Sequence, residues 1–381
     1  RDQPRSRGLG DVYKRQVEGV ASSLKNGDTV VVDGSEGAVI VNPDDNTVAE
    51  YSKKRDAFLA ERKELENYRG RETKSASGEA YELFCNIGKP EDAVKAVDAD
   101  GEGVGLFRTE FLFMDRTSIP TEDEQFEAYK KAALILKGKS LIIRTLDIGG
   151  DKDIPYLGLE KEENPFMGFR AIRYCLKNRE LFKSQIKAIL RASAFGDIKI
   201  MFPLITTMDE LREGKKLVAE CKADLRNMGI NFNENIQVGV MVETASAAVI
   251  ADMLAKEADF FSIGTNDLTG YTMACDRGNN DVSYLYSPLQ PSVLRMIKRT
   301  IECGVQNGIS VGMCGEAAAN KLMIPLLISF GLTEFSVSAP SVLNVRKIIS
   351  TWTKEEADKV TAKVLEMSTQ QEIVEYLKSV V

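Results

Sequence analysis

The sequence of 381 residues contains no histidine and a single tryptophan. Histidine is the commonest side chain for acid–base chemistry and metal binding near neutral pH, so its absence excludes the sites that depend on it. The six cysteines form no CxxC pair and show no metal-like spacing, which indicates reduced thiols in a cytosolic protein. Any catalysis by this chain must use other residue types.

Long apolar runs and an excess of basic charge are also absent. No run approaches the roughly 20 apolar residues that a membrane-spanning helix needs, and no secretory signal is visible. The net charge of −7 supplies no basic stripe for nucleic acid. We therefore expect a cytoplasmic protein that neither inserts into a membrane nor binds nucleic acid.

The first part of the chain divides into two segments of different character. Residues 1–16 are rich in Arg and Gly and lack periodicity, so we interpret them as non-native or disordered, with a genuine basic tail as the alternative. Residues 17–48 contain short strand patterns, and Thr29–Asp33 and Ala38–Asn42 predict a β-hairpin. This segment is short for an independent domain and is interpreted as the end of one.

The remainder predicts a linker followed by a large α/β domain. Residues 49–76 predict a charged linker helix, from Glu50 to Arg69. From residue 77 to 381, strand and helix patterns alternate, which is typical of a parallel β/α fold. Eight such units favour a closed (β/α)8 TIM-type barrel, which needs about 250 residues. The predicted strands are 81–87, 103–108, 140–146, 198–204, 236–242, 259–264, 309–314 and 334–338.

Several helix starts are marked by capping residues. Thr121–Glu124 and Thr207–Glu210 have the spacing of capping boxes, in which a threonine and a glutamate cap the first helical turn reciprocally. Asn164-Pro165 and Ser287-Pro288 each place a capping side chain before a proline, which predicts a helix start at that proline.

Polar and charged residues follow the apolar part of most predicted barrel strands. A buried parallel strand does not need such residues for its own stability, whereas the active sites of this fold lie at the carboxyl ends of the strands. The spacing therefore predicts a site at that end of the barrel. Its candidate residues are Arg108, Arg144, Glu243, Asn266, Asp267, Cys314 and Glu316, with Arg277 in a following loop.

The residue types at these strand ends indicate the ligand chemistry. Three arginines at one mouth indicate a small anion of multiple charge, because guanidinium groups bind phosphate and carboxylate through paired hydrogen bonds. Two carboxylates without histidine indicate a hard cation such as Mg²⁺. Taken singly, the arginines could be rim salt bridges, the carboxylates helix N-terminal acids and Cys314 a small buried hydrophobe. Asp147 and Asp151 could be plain loop formers.

Six ordered runs resemble the phosphoenolpyruvate-protein phosphotransferases, the enzyme I family of the bacterial sugar phosphotransferase system. The resemblance extends from Val17 to the C-terminus and implies a barrel preceded by a swivelling phosphohistidine domain, of which residues 17–48 would be the end. The runs that carry it are Gly103–Phe113, Arg144–Lys152, Glu163–Arg173, Ser262–Asp267, Asp276–Asn279 and Gly312–Glu316.

The resemblance implies a role for each candidate residue. Glu243 and Asp267 would hold Mg²⁺, for which Mn²⁺ can substitute, and Asp267 would also border the substrate. Cys314 would protonate the methylene carbon of the departing enolpyruvate to give pyruvate, and we expect its thiol to titrate near neutrality because no histidine competes. The groups that would bind the phosphate and carboxylate of phosphoenolpyruvate are Arg108, Arg144, Arg277 and Asn266, supported by Lys152 and Arg170.

The missing histidine affects the reaction that the resemblance implies. In this family the phosphoryl group passes first to a histidine on the swivelling domain and then to the carrier HPr. We therefore interpret the chain as N-terminally truncated, with the donor site but without the acceptor and the HPr-binding domain. The resemblance also implies a homodimer through the barrel, with which the apolar run Leu322–Ile328 agrees. Two alternatives are a fragment of pyruvate phosphate dikinase or phosphoenolpyruvate synthase, and a non-catalytic dimerisation module that responds to phosphoenolpyruvate.

Overall fold

The chain forms two compact units, Arg1–Arg71 and Glu72–Val381, and the division falls within the predicted linker segment 49–76. Predictions for residues 1–16, Asp151 and Lys152 lie outside the residues that the structure describes. The computed structural model describes residues 24–34, 37–114, 116–149 and 154–381.

The first unit contains the predicted hairpin. Strand β1 (Val30–Asp33) pairs antiparallel with β2 (Ala38–Val41), with Val30 opposite Val41 and Asp33 opposite Ala38. The runs of valine and isoleucine in both strands suit such a ladder because β-branched side chains pack well on a pleated surface. The hairpin prediction is confirmed.

The charged helix of the first unit begins earlier than predicted. Helix α1 spans Asp45–Leu65 and continues as a 3₁₀ turn over Glu66–Tyr68. It starts before Glu50 because the Asp44 carboxylate accepts a hydrogen bond from the Thr47 amide at 2.7 Å, which satisfies an N–H at the helix start. In the described part of the chain this helix has no buried side chain, as its charged sequence predicts.

Eight parallel strands in the second unit close into a barrel in which each strand pairs with the next and the last pairs with the first. The (β/α)8 prediction is therefore confirmed, and every predicted strand is present. The barrel strands are β3 (Glu82–Ile87), β4 (Gly103–Arg108), β5 (Leu141–Arg144), β6 (Ile198–Phe202), β7 (Val238–Val242), β8 (Phe260–Ile263), β9 (Ser310–Met313) and β10 (Glu334–Val337).

Helices follow the strands and cover the outside of the barrel. They are α2 (Asp92–Asp98), α3 (Glu122–Leu136), α4 (Ala171–Lys177), α5 (Arg179–Ala192), α6 (Met208–Asn227), α7 (Ala245–Val249), α8 (Ala251–Leu254), α9 (Thr265–Met273), α10 (Pro291–Gln306), α11 (Ile324–Phe330), α12 (Val342–Ser350), α13 (Lys354–Glu366) and α14 (Gln370–Val380). None of these helices, nor α1, is both long and apolar enough to cross a membrane, a statement that holds for the described residues.

The predicted helix starts have mixed outcomes. Both capping boxes are present, at the start of α3 and of α6. The prediction at Ser287-Pro288 is wrong, because α10 begins at Pro291 after the extended residue Gln290. Pro165 begins only a 3₁₀ turn, Pro165–Met167.

Two apolar cores lie on the two sides of the barrel wall. The larger core packs the strands against the helices, and a smaller cluster fills the barrel interior. Because side chains alternate between the faces of a strand, the residue two positions beyond an interior residue also points inward. Leu106 and Met241 point into the barrel interior. Arg108 and Glu243, two residues after them, are therefore expected to point inward as well, at the mouth of the barrel. The interior cluster consists of Leu106, Ile142, Met201, Met241, Phe260 and Cys314.

The apolar run Leu322–Ile328 does not form an outer surface, which corrects our interpretation of it as a sign of dimerisation. Met323, Ile324 and Leu327 are fully buried within the chain. Helix α11, which contains most of the run, packs against α13. Burial between these helices accounts for the apolar character of the run.

Candidate active site

The first two predicted arginines lie side by side at the barrel mouth. Arg108 ends β4 and Arg144 ends β5, and the two are register partners in the parallel ladder. Arg108 is half-buried, whereas Arg144 is 8% exposed. The pairing of adjacent parallel strands therefore places two guanidinium groups next to each other, as the sequence predicts.

Arg144 belongs to a buried network in which acids and bases alternate. Its guanidinium group donates to Glu110, and its Nη1 atom lies 3.2 Å from Asp147 Oδ2. Asp147 in turn accepts from Arg170 Nη2, at 2.8 Å on Oδ1 and 2.9 Å on Oδ2. Arg170 Nη2 also lies 3.2 Å from Asp267 Oδ2. The order of the network is thus Glu110, Arg144, Asp147, Arg170 and Asp267.

Both buried arginines remain positively charged because their acidic neighbours outweigh the loss of solvent. Burial alone lowers the pKa of Arg144, but the carboxylates of Glu110 and Asp147 raise it above its ordinary value. The same balance, with Asp147 and Asp267 as the acids, raises the pKa of Arg170. Among the described residues, Arg144 Nε has no hydrogen-bond partner although it is buried. Such an atom is available to a bound anion.

Glu243 lies in the middle of this charged region. It is 2% exposed, and its Oε1 atom accepts from the Leu204 amide at 2.7 Å. Its Oε2 atom faces Gly264. Any residue with a Cβ atom in place of Gly264 would bring that atom within 2.7 Å of Oε2. Burial, followed by the charges of Asp267 and Asp147, raises the pKa of Glu243 to about 8. The carboxylates of Glu243, Asp267 and Asp147 are thus close enough to repel each other.

This donor set fits a divalent cation of the Mg²⁺ type. Mg²⁺ prefers oxygen ligands, and proteins usually supply one or two carboxylates while substrate oxygens and water complete the coordination. The described residues contain no group of three or more side chains that could ligate a metal. Glu243 and Asp267 match the smaller set, and a cation between them would relieve the repulsion that raises the pKa of Glu243.

A cavity of about 450 Å³ opens beside the charged network. Asn266 and Asp267, from the start of α9, line it together with Arg277. The Tyr286 hydroxyl group donates to the Asn266 carbonyl oxygen at 2.9 Å, which ties the start of α9 to the loop that follows. Asp267 therefore belongs both to the cavity wall and to the buried network, and it connects the two.

Cys314 is at the carboxyl end of β9, where the interior cluster meets the mouth. Its side chain is buried, with Sγ 3.7 Å from the Ile263 carbonyl oxygen. The Asn86 side chain donates to the Cys314 carbonyl oxygen at 3.1 Å. Burial raises the pKa of the thiol to about 11, although Arg144 lowers it. The prediction that Cys314 titrates near neutrality is wrong because a thiolate there would lose its hydration.

The structure brings together most of the predicted site residues, and it differs from the sequence analysis at Arg170, Asp147 and Glu110. Arg170 is committed to Asp147 and Asp267, so it does not face the cavity as a free phosphate contact. Asp147 is a buried partner of two arginines and not a plain loop former. Lys152 lies outside the described residues. Glu110 was not recognised as part of the site, although its place two residues after Arg108 was the available signal.

Comparisons with known proteins agree with this geometry. The family model for the PEP-binding domain of PEP-utilising enzymes, where PEP denotes phosphoenolpyruvate, matches residues 62–353. The chain belongs to this family. The match includes the whole charged network and the cavity lining, so the site described above lies in the part of the chain that defines the family.

Individual members of the family include close relatives. The phosphoenolpyruvate-protein phosphotransferase of Bacillus subtilis (strain 168) is 50% identical over 362 residues, which are 95% of this chain and 64% of that protein. The protein of the same name from Staphylococcus carnosus (strain TM300) is 47% identical over 362 residues, covering 95% and 63%. The chain thus spans under two thirds of the length of these relatives.

Likeness to solved structures is weaker. A citrate lyase from Burkholderia xenovorans LB400 aligns with a TM-score of 0.44 and 12% identity over 81% of this chain and 93% of its own. The citrate lyase beta subunit of M. tuberculosis, solved with oxaloacetate and magnesium, gives a TM-score of 0.38 at 15% identity over 74% and 99%. Scores this low support no inference about the site.

Proposed function

We propose that this chain binds phosphoenolpyruvate at the barrel mouth and performs the donor half-reaction of a phosphoenolpyruvate-protein phosphotransferase. The observation that carries the proposal is the buried network of alternating charges that ends at Asp267 in the cavity wall. Phosphoryl transfer requires mainly positioning and neutralisation of charge, and fixed guanidinium groups supply both. The 50% identical relative is named for this activity.

The substrate-binding groups are divided between the two strand ends and the cavity. Arg108 and Arg144, as register partners, form one cationic wall for the phosphate. Arg277 and Asn266 line the cavity and would hold the carboxylate and the remaining phosphate oxygens. Paired guanidinium hydrogen bonds fix the orientation of such anions.

Two further residues support this arrangement. Arg170 would act through Asp267, because its guanidinium group already pairs with that carboxylate and with Asp147. We retain Lys152 as a phosphate-side residue on the strength of the family motif, Arg144–Lys152, that contains it. Asp267 would border the substrate and hold the metal at the same time.

Glu243 and Asp267 would hold Mg²⁺ or Mn²⁺. A divalent cation held there would supply positive charge against the phosphate and the negative charge that develops during transfer. The protein must hold these two carboxylates close together. The Leu204 amide orients Glu243 by a hydrogen bond, and Arg170 orients Asp267 by an ion pair.

Cys314 would complete the reaction by protonating the enolate carbon. When the phosphoryl group leaves, the electrons of the P–O bond stay on the enolpyruvate oxygen, and its methylene carbon accepts a proton to give pyruvate. The Cys314 thiol is at the top of the interior cluster, shielded from water by apolar side chains. A buried thiol keeps its proton until the enolate forms, which suits a general acid.

Transfer beyond this step needs a group that the sequence does not contain. We propose that a histidine supplied by a separate domain receives the phosphoryl group and passes it to HPr, since the chain has no histidine of its own. We further propose that the protein acts in the cytoplasm as a homodimer.

Binding of phosphoenolpyruvate tests the proposal directly. Calorimetry with Mg²⁺ or Mn²⁺ should show binding that EDTA abolishes, because the carboxylates otherwise repel the phosphate. Glu243→Gln or Asp267→Asn should weaken binding at least by the roughly 10- to 100-fold that losing a supporting residue of a metal site costs. Asp209→Asn, which alters an exposed acid at the start of α6, is the control and should bind normally. Unchanged affinity in EDTA would contradict the metal assignment.

A further inference from the structure

A buried glutamine lies directly behind the two acids that hold Arg144. Gln185, on α5, is fully buried between the barrel and the outer helices. Its Oε1 atom accepts from the Leu146 amide at 2.9 Å, and its Nε2 atom donates to Thr109 Oγ1 at 3.1 Å. Leu146 precedes Asp147 in sequence and Thr109 precedes Glu110. One side chain thus contacts the neighbour of each acid that pairs with Arg144.

Thr109 extends this contact to the backbone of Arg144 itself. The Thr109 hydroxyl group donates to the Arg144 carbonyl oxygen at 2.9 Å. This hydrogen bond holds the first peptide group after Arg144, and the bond from the Leu146 amide to Gln185 holds the second. Both lie where β5 ends. Strand pairing ends at Arg144 and Thr145, and next to them the side-chain hydrogen bonds of Gln185 and Thr109 hold the segment.

The polar character of Gln185 has no packing explanation. Its neighbours on the buried face of α5, Phe182, Ile186 and Ile189, are apolar. Burying an amide costs free energy unless its hydrogen bonds are satisfied, and an apolar side chain of similar size would fill the same space without that cost. Here the amide makes three bonds, the third to the Tyr129 hydroxyl group at 3.2 Å.

We infer that Gln185, acting through Thr109 and Leu146, is a positioning residue that sets the place of the Arg144 guanidinium group. This inference rests on the proposed function in one respect, namely that Arg144 binds the phosphate of phosphoenolpyruvate. Small displacements of such a group are costly, since a shift of about 1 Å caused by a distant substitution lowers rates by roughly 100-fold.

Two isosteric substitutions provide a matched comparison. Gln185→Met removes the hydrogen bonds to Thr109 and Leu146 and keeps a similar volume. Gln125→Met is the control, because Gln125 is equally buried in the same network. Among the described residues its side chain hydrogen-bonds to Tyr129, at 3.2 Å, and to the Pro120 carbonyl oxygen, at 3.1 Å, and not to Thr109 or Leu146. Both variants should lower the melting temperature. Gln185→Met alone should also disturb Arg144.

The first measurement needs no substrate. Modification of arginines by phenylglyoxal, mapped by mass spectrometry, should be faster at Arg144 in Gln185→Met than in the wild type and unchanged in Gln125→Met. Exposed Arg212 serves as the internal reference. Equal reactivity of Arg144 in all three proteins would overturn the inference, whether or not the chain binds phosphoenolpyruvate.

The second measurement uses the affinity for phosphoenolpyruvate with saturating Mg²⁺. Gln185→Met and Thr109→Val should weaken binding by roughly 10- to 100-fold, the range expected when a hydrogen bond between Arg144 and the ligand is lost. Thr109→Ser, which keeps the hydroxyl group, and Gln125→Met should bind as the wild type does. Wild-type affinity in Gln185→Met would show that Gln185 only stabilises the fold. If the wild type itself failed to bind, the proposed function would fail, and the arginine reactivity would still decide the role of Gln185.

Discussion

Two buried carboxyl groups lie at opposite ends of the barrel interior. Glu243 is at the mouth and Glu334 is the first residue of β10, and burial raises the pKa of each to about 8. Glu334 Oε1 has no hydrogen-bond partner among the described residues. Its space is provided by Gly105 and Gly312, since a Cβ atom at either position would collide with the Glu334 carboxyl group. Burial in this tight space favours the neutral form of the Glu334 carboxyl group in the folded state.

The free energy of unfolding should consequently depend on the protonation of Glu334. Because burial and the charge of Glu82 raise its folded pKa to about 8 from 4.5, with Lys199 acting in the opposite direction, the folded state binds its proton more tightly. The stabilisation is complete below about pH 4.5 and is lost as the pH rises towards 8, by a total on the order of a few kcal/mol. Glu334→Gln should flatten this loss in denaturant titrations at pH 5 to 8, whereas Glu366→Gln, at the exposed end of α13, should not. An unaltered slope in Glu334→Gln would exclude Glu334 as the source.

The role of Cys314 can be tested separately from substrate affinity. With the proposed separate histidine-bearing domain added, Cys314→Ala should bind phosphoenolpyruvate normally but turn over about 10²- to 10⁴-fold more slowly, the usual cost of losing a general acid. Pyruvate release in a coupled assay measures this. Cys221→Ala, on α6 and away from the mouth, is the control. Normal turnover in Cys314→Ala would leave Cys314 a packing role only.

At the scale of elements, the strands were predictable because their apolar runs are short and bounded, and the site residues at their ends followed from the parallel topology. The starts of the helices were less predictable than the strands. The reciprocal hydrogen bonds of a capping box are local and predicted α6 correctly, whereas Ser287-Pro288 could not reveal that a further turn precedes α10 at Pro291.

The contacts of the candidate site residues were harder to predict than their positions at the ends of the strands. Glu110 and Asp147 are acids near arginines in sequence, but their pairing depends on how neighbouring strands and loops pack. Burial of Cys314 could not be judged from the sequence either, and this explains the error about its titration. Tertiary packing, which no local pattern encodes, determined both.

The outer helices also decide where self-association can occur. The apolar side chains of helix α11 are buried within the chain. In contrast, Val249 on α7 is 50% exposed and Met253 on α8 is 51% exposed. We propose that two copies of this chain associate through this surface. Met253→Glu would introduce two charges into a two-fold interface and should raise the dimer dissociation constant at least tenfold or so. Light scattering with Mg²⁺ and phosphoenolpyruvate measures this, with Met228→Glu as the control on another exposed apolar residue. A monomer in the wild type at high concentration would refute the dimer.

For the whole molecule, we propose that the absence of histidine separates binding of phosphoenolpyruvate from transfer of its phosphoryl group. We expect this chain alone not to phosphorylate HPr, because lysine is protonated near neutrality and a carboxylate acceptor would repel the incoming phosphate. Adding a histidine-bearing N-terminal half should restore transfer, since the donor groups all lie in the barrel. Labelled phosphoenolpyruvate, HPr and Mg²⁺ with and without that half provide the test. Label on HPr in its absence would contradict the proposed division of labour.

The register pairing of Arg108 with Arg144 limits how this protein can vary in length. Adding or deleting one residue within β4 or β5 would turn the terminal arginine from the mouth towards the helices, since faces alternate along a strand. Side chains in the loops between strands do not alternate between two faces, so a change of one residue there does not have this effect. Insertions and deletions compatible with the site should therefore accumulate between the strands, while the strands themselves keep their residue count even where their apolar residues are exchanged.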